Sequence, residues 1–563
     1  MSAILHREAI DDVITRHLAQ FRKPGVLTVR PGIEISGHRL TGRPSIVATV
    51  MRKSDKLPVS KRLPDQVEGL PVDVREASPM QRLRQRDPAK HALMRSYSRS
   101  VDAEHDYPYE RDVKTGKLVA AQHPPVHAAL AHQASKPEIA YTPASAPLRA
   151  VSRRMTLLVC ASPDAGFTVL QRFLVATRQR LTVGMYDFTS ARLLDTVTST
   201  LRGGRKQLTM VLDHPILDPV ANQTDEDTIA AIHKASGSAR TAWALSRPDP
   251  RATKWIFPYA YHIKVAVRDG AACWLSSGNW NVSNQPDLAS KKTIDGSLAS
   301  ADRDWHVVMM DPGMARLFEA YLQHDFEVAS AAQAPRNAAV QHSITVATKA
   351  LRKEQAAARA KPVVTTSKVP FTLGRPRTFT NVPLRLQPLL TPDHGKQTSM
   401  YVENVLALIR SAKKTLYVQM QYINPSLKPE DKDFMLLIAG LRQALERHVD
   451  VRIICSQYQE PHLEAMYLQG LSGVLRIQQR VHNKGIVVDS RTVMVSSQNW
   501  SAAGTLRNRD AGVIIEHAGI ARYFEAIFLQ DWASRSEPAS VHETAPSGRT
   551  TPRRSTRGGR HVP

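Results

Sequence analysis

Two short stretches of this 563-residue chain place an imidazole and an ammonium two residues apart in runs of β-branched residues: YHIKVAVRD (261–269) and VHNKGIVVD (481–489). On an extended strand residues i and i+2 point to one face, so His262 projects with Lys264 and His482 with Lys484. Asp269–Gly270 and Asp489–Ser490 stand where a tight hairpin would return the chain, which reads Asp269 and Asp489 as turn or scaffold residues. The returning strands, CWLSSGN and VMVSSQN, carry Ser277 and Ser497 and bring Asn279 and Asn499 back towards the histidine end. A single H-x-K in a strand is usually a satisfied histidine beside a lysine that reaches for solvent. Two copies, each followed by an asparagine 17 positions after its histidine, call for chemistry.

That chemistry suits a phosphodiester. If the halves pack about a pseudo-twofold axis, Lys264, Lys484, Asn279 and Asn499 converge on the non-bridging oxygens. They stabilise most as charge builds in the transition state. One imidazole attacks phosphorus; the other protonates the leaving alcohol and then activates water. The division needs one histidine neutral and the other protonated at the same pH, so their surroundings must differ or couple. A catalytic histidine also needs a carboxylate on its other nitrogen, for which Asp304 and Asp510 are the candidates. No clustered ligand set calls for a metal, and no cofactor is expected. Trp280 and Trp500, which follow the asparagines, read as core residues.

The elements that must carry these residues occur twice. From Met155 the chain alternates strand and helix: TLLVC, FTVLQRFLVATRQ, RLTVGMYDF, LLDTVTSTLRGG and QLTMVLD. After a basic, Ala-rich linker the series recurs as VENVLALIRSAKK, TLYVQMQYI, DFMLLIAGLRQALERH and DVRIICS. Ser-Pro-Asp at 162–164 matches Thr-Pro-Asp at 391–393, and ADRDWHVV (301–308) matches RNRDAGVI (507–514). MARLFEAYLQHDF (314–326) matches IARYFEAIFLQDW (520–532), with Asp304 to Glu319 and Asp510 to Glu525 both 15 apart. Between asparagine and aspartate the first copy is 14 residues longer, an insertion expected to loop over the site. Such duplication predicts two α/β lobes at 151–330 and 386–535. A small α+β unit is expected at 1–78, a mostly irregular connector at 79–150, a linker at 331–385 and a basic tail at 536–563.

The net charge is +25, but residues 81–100, 336–377 and 546–563 account for 18 of those charges and read as connectors or tails. These segments would attract nucleic acid or an anionic membrane surface alike. Three cysteines lie far apart in apolar runs, as small core residues in a reducing compartment do. No apolar run is long enough to span a bilayer, and MSAILHREAIDDVITRHL lacks the pattern of a signal peptide. The expected location is cytoplasmic, with peripheral membrane contact allowed.

YHIKVAVRD…SSGNW and VHNKGIVVD…SSQNW resemble the two H-x-K-x4-D motifs of the phospholipase D superfamily with their trailing asparagines, over about residues 150–535. The usual glycine before the serine is replaced by Ser276 and Ser496. The resemblance implies a duplicated α/β/α sandwich with the site in the seam between its lobes. It implies a phosphohistidine at His262, an acid/base at His482 and a phosphate held by Lys264, Lys484, Asn279 and Asn499. It also implies crossed pairing of Asp510 with His262 and of Asp304 with His482. The substrate expected is a glycerophospholipid. The alternatives are a metal-independent nuclease and a catalytically silent binding scaffold. Aromatic residues, 6% of the chain, do not cluster with the basic runs as a single-strand groove would require, which favours lipid.

Overall fold

A computed structural model describes residues 2–54, 58–91, 109–119, 148–213, 225–244, 260–288, 300–331, 346, 374–393, 399–426 and 428–541. Outside the described residues lie His123, His127 and His132, most of the basic linker, the tail beyond 541, and residues 289–299 of the insertion expected over the site. Within the basic stretch 81–100, Arg82 is buried and paired with Glu76 at 3.2 Å, so it is not a surface charge.

The N-terminal unit packs the helix Ser2–Phe21 on a five-stranded sheet. Its strands are β1 (Val26–Ser36), β2 (Arg39–Val50), β3 (Gln66–Val67), β4 (Leu70–Glu76) and β5 (Arg111–Asp112), in the order β3-β4-β2-β1-β5. Ile10, Ile14, Phe21, Val29, Ile46 and Ala48 form its core. The helix Pro79–Arg86, capped by Ser78, and β5 fall within the stretch expected to be connector.

A second sheet carries both lobes. The first lobe contributes β6 (Val151–Ser162), β7 (Arg180–Met185), β8 (Gln207–Leu212), β9 (Arg240–Trp243), β10 (Lys264–Arg268), β11 (Ala272–Ser276) and β12 (Asp304–Met310). The second contributes β13 (Arg377–Thr391), β14 (Thr415–Met420), β15 (Asp450–Cys455), β16 (Leu475–Gln478), β17 (Lys484–Val488), β18 (Thr492–Ser496), β19 (Asp510–Glu516) and β20 (Ser536–Pro538). The order is β20-β16-β15-β14-β17-β18-β19-β13 and then β6-β12-β11-β10-β7-β8-β9. Read outwards from the β13–β6 seam, the two series repeat each other. β13 starts at Arg377, inside the stretch expected as linker, because its first half pairs with β6 (Arg377↔Val159 to Leu386↔Val151).

Alternation along the strands splits the core in three. On β11, Ala272 and Trp274 face the outer helices Gly166–Val175 and Ala191–Leu201, while Cys273 and Leu275 face the other lobe. Leu170, Leu174, Leu193 and Val197 complete the outer layer of the first lobe. Val402, Val405, Ile409, Leu437 and Leu441, from helices Met400–Ser411 and Lys432–Glu446, do so in the second. Between the lobes, Phe318 and Leu322 of helix Pro312–Ala331 join Phe524 and Phe528 of helix Ala518–Ser534, with Val265, Val267, Val487 and Val495 from the strands. Each sheet half is thus covered on both faces, an α/β/α arrangement. The cysteines are free and buried, and burial raises each thiol above its ordinary value.

The N-terminal unit is seated on the second lobe. Arg30 pairs with Glu464 at 2.9 Å with both side chains buried, Leu40 bridges to Ser540, and Tyr467 Oη donates to the Gly42 carbonyl at 3.3 Å.

Candidate active site

Both lysines open their strands: Lys264 begins β10 opposite Met185, and Lys484 begins β17 opposite Met420. The histidines, expected on the strand itself, stand just before it, because residues 261 and 481 leave their own sheets to bridge to the other lobe. Tyr261 pairs with Arg509, and Val481 with Arg303, each as a short parallel bridge. The backbone bonds are Arg509 N to Ala260 O at 2.8 Å and His482 N to Arg303 O at 3.0 Å. Each lysine folds back onto the carbonyl of its own histidine.

These crossed bridges put an Arg-Asp dipeptide of one lobe beside the histidine of the other. Asp510 Oδ1 lies 2.9 Å from His262 Nδ1, and Asp304 Oδ1 lies 3.0 Å from His482 Nδ1. The serines hold the carboxylates from behind: Ser277 Oγ donates to Asp304 at 2.7 Å and Ser497 Oγ to Asp510 at 2.5 Å. The preceding arginines clamp the lobes, Arg303 gripping Asp531 at 2.9 and 3.1 Å and Arg509 gripping Asp325 at 2.8 Å through both nitrogens. All four clamp residues are fully buried, so these are paired, doubly bonded charges out of water. The sequence reading left them unassigned, although both copies of Arg-Asp and both later aspartates stand at matched places in the repeat.

Asp269 (φ 56°) and Asp489 (φ 51°) make the hairpin turns and accept backbone N–H bonds. Asp269 takes those of residues 178–180 and Asp489 those of 413–415. They stay at the far end of the hairpins from the histidines. Trp280 and Trp500 are fully buried, Trp280 against Phe188 and Trp500 bonded to the Tyr401 hydroxyl. At Gly485 a Cβ would come within 2.3 Å of the Trp305 ring of the other lobe, so only glycine lets the halves approach there.

His262, His482, Asn279 and Asn499 line one cavity of about 180 Å³ with Tyr186, Ala260, Gln421 and Asn508. Lys264 and Lys484 are buried beneath it. The Oδ1 atoms of Asn279 and Asn499 are buried with no hydrogen-bond partner among the described residues, leaving these amides uncommitted to the protein. Tyr186 meets His262 edge-on at 4.8 Å and lies 5.1 Å from the Lys264 ammonium. Burial lowers both histidines, His262 the further, and nearby lysines add to this. Burial also lowers Lys264 well below its usual value and brings Lys484 to about 8. Asp510 is pushed up by burial to about 7. In Asp304 burial is outweighed by the charge and hydrogen bond of His482, and its pKa falls below the usual carboxylate range. Among the described residues no group of three or more His, Cys, Asp or Glu is arranged to hold a metal ion, and no helix is long and apolar enough to cross a membrane.

The family model described as cardiolipin synthase, PLD-like domain, matches residues 405–532. The chain is 28% identical over 132 residues to a phospholipase D of Rickettsia bellii, covering 23% of this chain and 59% of that protein. It is 26% identical over 143 residues to a phospholipase D of Rickettsia typhi, covering 24% and 64%. The match therefore spans less than two-thirds of the length of either curated relative. Among solved structures, a phosphatidylserine synthase of Haemophilus influenzae has 14% identity and TM-score 0.45, over 68% of this chain and 89% of that one. The phospholipase D family member Nuc from Salmonella typhimurium has 22% identity and TM-score 0.22, over 27% and 98%. The second lobe, over residues 405–532, is thus similar to a PLD-like domain, and the first lobe repeats its H-x-K and asparagine pattern.

Proposed function

We propose that this chain is a phosphodiesterase that hydrolyses or transfers the headgroup of glycerophospholipids through a phosphohistidine at His262. The observation that carries this reading is the shared cavity, in which each histidine leans through Nδ1 on the aspartate of the opposite lobe. With Asp510 ionised, His262 keeps its hydrogen on Nδ1 and presents the Nε2 lone pair. That pair attacks phosphorus, the bond to the leaving oxygen breaks, and His482 gives its proton to that oxygen. In the second step water gives a proton to His482 and its oxygen attacks phosphorus. The P–N bond breaks and returns its electron pair to His262. An acceptor alcohol in place of water makes the same step a transfer. Lys264, Lys484, Asn279 and Asn499 hold the phosphoryl oxygens through both steps, and a phosphoryl anion offsets the burial that depresses the two lysines.

The test is a side-by-side assay of the purified chain on phosphatidylcholine vesicles and on single- and double-stranded DNA and RNA, with His262→Ala as blank. Headgroup release with native protein only, and a label trapped on His262, are expected. Nucleic-acid cleavage without lipid turnover would replace this reading with a nuclease. Inactivity of the native chain on every diester would leave a binding scaffold. Label on His482 would reverse the roles.

A further inference from the structure

The repeat sets every site residue of one lobe beside its counterpart, and this exposes a break in the symmetry one residue before each Arg-Asp pair. There the first lobe has Asp302 and the second Asn508. A second break accompanies it. Five residues beyond the motif asparagine the first lobe has Asn284, whereas the second has Gly504, where a Cβ would come within 2.2 Å of the Asn499 carbonyl oxygen. Asn284 is buried and its Nδ2 spans the two carboxylates, 3.3 Å from Asp302 and 2.9 Å from Asp304. Its Oδ1 accepts the Asn279 backbone N–H at 3.2 Å, and the Asp302 N–H is held by the Ser283 carbonyl at 2.7 Å. The first lobe therefore sets a second carboxylate, tied through Asn284, beside the one bonded to the opposite histidine, and the second sets a neutral amide beside its one carboxylate.

We infer that Asp302 is a positioning residue that fixes the direction of the two-step reaction by keeping the proton on His482 and not on His262. This rests on the phosphodiesterase reading above. His482 faces Asp304 and Asp302 of the first lobe, Lys484 of its own strand, and the His262 imidazole across the cavity. Lys484 and burial disfavour its protonated form, and the two carboxylates favour it. Arg480, from the segment leading into His482, also faces Asp302, whose pKa burial raises while His482 opposes that rise. His262 faces Lys264, Lys484 and His482, with Asp510 as its carboxylate partner. Burial disfavours the proton on both imidazoles, but the carboxylates beside His482 oppose this, so the proton is held less poorly there than on His262.

Asp302→Asn makes the two sides alike at this position. Weakening the hold on the His482 proton leaves kcat/KM near native at low pH and lowers it progressively as pH rises. The expected loss is about three- to tenfold at pH 8, vanishing near pH 5. Asp302→Glu restores the native profile. Asn508→Asp has the mirror effect, favouring the protonated His262 and lowering kcat/KM at acidic pH. Imidazole NMR titration reads the same quantity without turnover: the His482 ring titrates lower in Asp302→Asn, and the His262 ring does not move. A uniform loss at every pH with an unmoved His482 titration would reduce Asp302 to a structural role and overturn the inference. Failure of the underlying reading is recognised separately, as equal diester turnover by native protein and His262→Ala.

Discussion

In the first lobe the aspartate that reaches across the seam, Asp304, has a carboxyl held below the usual range by the His482 it faces. Its counterpart Asp510 is held above that range, at about 7, by burial. The same residue types at the same repeat positions, on the same strands β12 and β19, end in opposite electrostatic states. What we propose holds phosphate is duplicated: Lys264 with Lys484, and Asn279 with Asn499. What surrounds the imidazoles is not, since Tyr186 stands opposite Gln421 and Asp302 opposite Asn508. A diester offers two chemically similar non-bridging oxygens but one attacking and one departing direction. A twofold cradle suits the oxygens, and asymmetry is needed only where direction matters.

The comparison breaks most visibly at the histidines. His262→Ala removes the proposed nucleophile and is expected to lower turnover of any diester by about 10⁴-fold or more. His482→Ala matches that on alkyl esters. On a p-nitrophenyl diester, whose leaving group needs no proton, it still gives a burst of nitrophenol followed by stalled phosphoenzyme. Equal inactivity of both variants on the aryl ester, with no burst, would contradict the division of labour.

Next come the crossed clamps. Arg303→Ala removes a partner from Asp531, which keeps Gln419 Nε2 at 3.0 Å and Arg535 at 3.6 Å, and from Asp164, which keeps the Gly374 N–H at 2.8 Å, whereas Arg509→Ala leaves Asp325 with the Tyr261 hydroxyl at 3.0 Å. Each replacement costs roughly 3–5 kcal/mol, as read from denaturant midpoints, because each removes a charge partner of a fully buried carboxylate. The hairpin aspartates sharpen the comparison from the other side. Asp269→Ala and Asp489→Ala each release backbone N–H groups and place alanine at positive φ. Each costs about 1–3 kcal/mol, and the two differ little because their roles are duplicated. The smallest effect is on pH dependence. As pH rises through about 7, Asp510 loses its proton and accepts Nδ1–H of His262, which frees Nε2. Single-turnover labelling of His262 by the p-nitrophenyl diester, which needs no proton from His482, therefore increases up to that pH and is flat above it, and Asp510→Asn abolishes the step in the profile.

Much of the site was legible because duplication repeats a chemical pattern at fixed spacing. His262, Lys264 and Asn279, with their second copies, could be named before any geometry, and Asp304 and Asp510 followed from what a histidine base requires. The Arg303 and Arg509 clamps were not named, since a lone arginine before an aspartate carries no chemical signal. Asp325 and Asp531 each follow the arginine of their own lobe by 22 residues, yet each binds the arginine of the other. The placement of the histidines just outside their strands was missed for a related reason. The β-branched run predicts a strand through residue 262, but the bridge from Tyr261 to Arg509 competes for that backbone and wins.

Two α/β lobes, their strand and helix order, and the side chains each offers were readable from the chain, because hydrophobic period and motif spacing are local properties. The crossed pairing of carboxylate and imidazole was implied by the family resemblance and not by any local pattern, while the exchanged backbone bridges and the Arg303–Asp531 and Arg509–Asp325 clamps that bring it about emerged with the tertiary structure. The tertiary structure also decided that the N-terminal unit rests on the second lobe. Those outcomes depend on contacts between residues far apart in the chain, where burial strengthens each charge pair and no local pattern selects the partner.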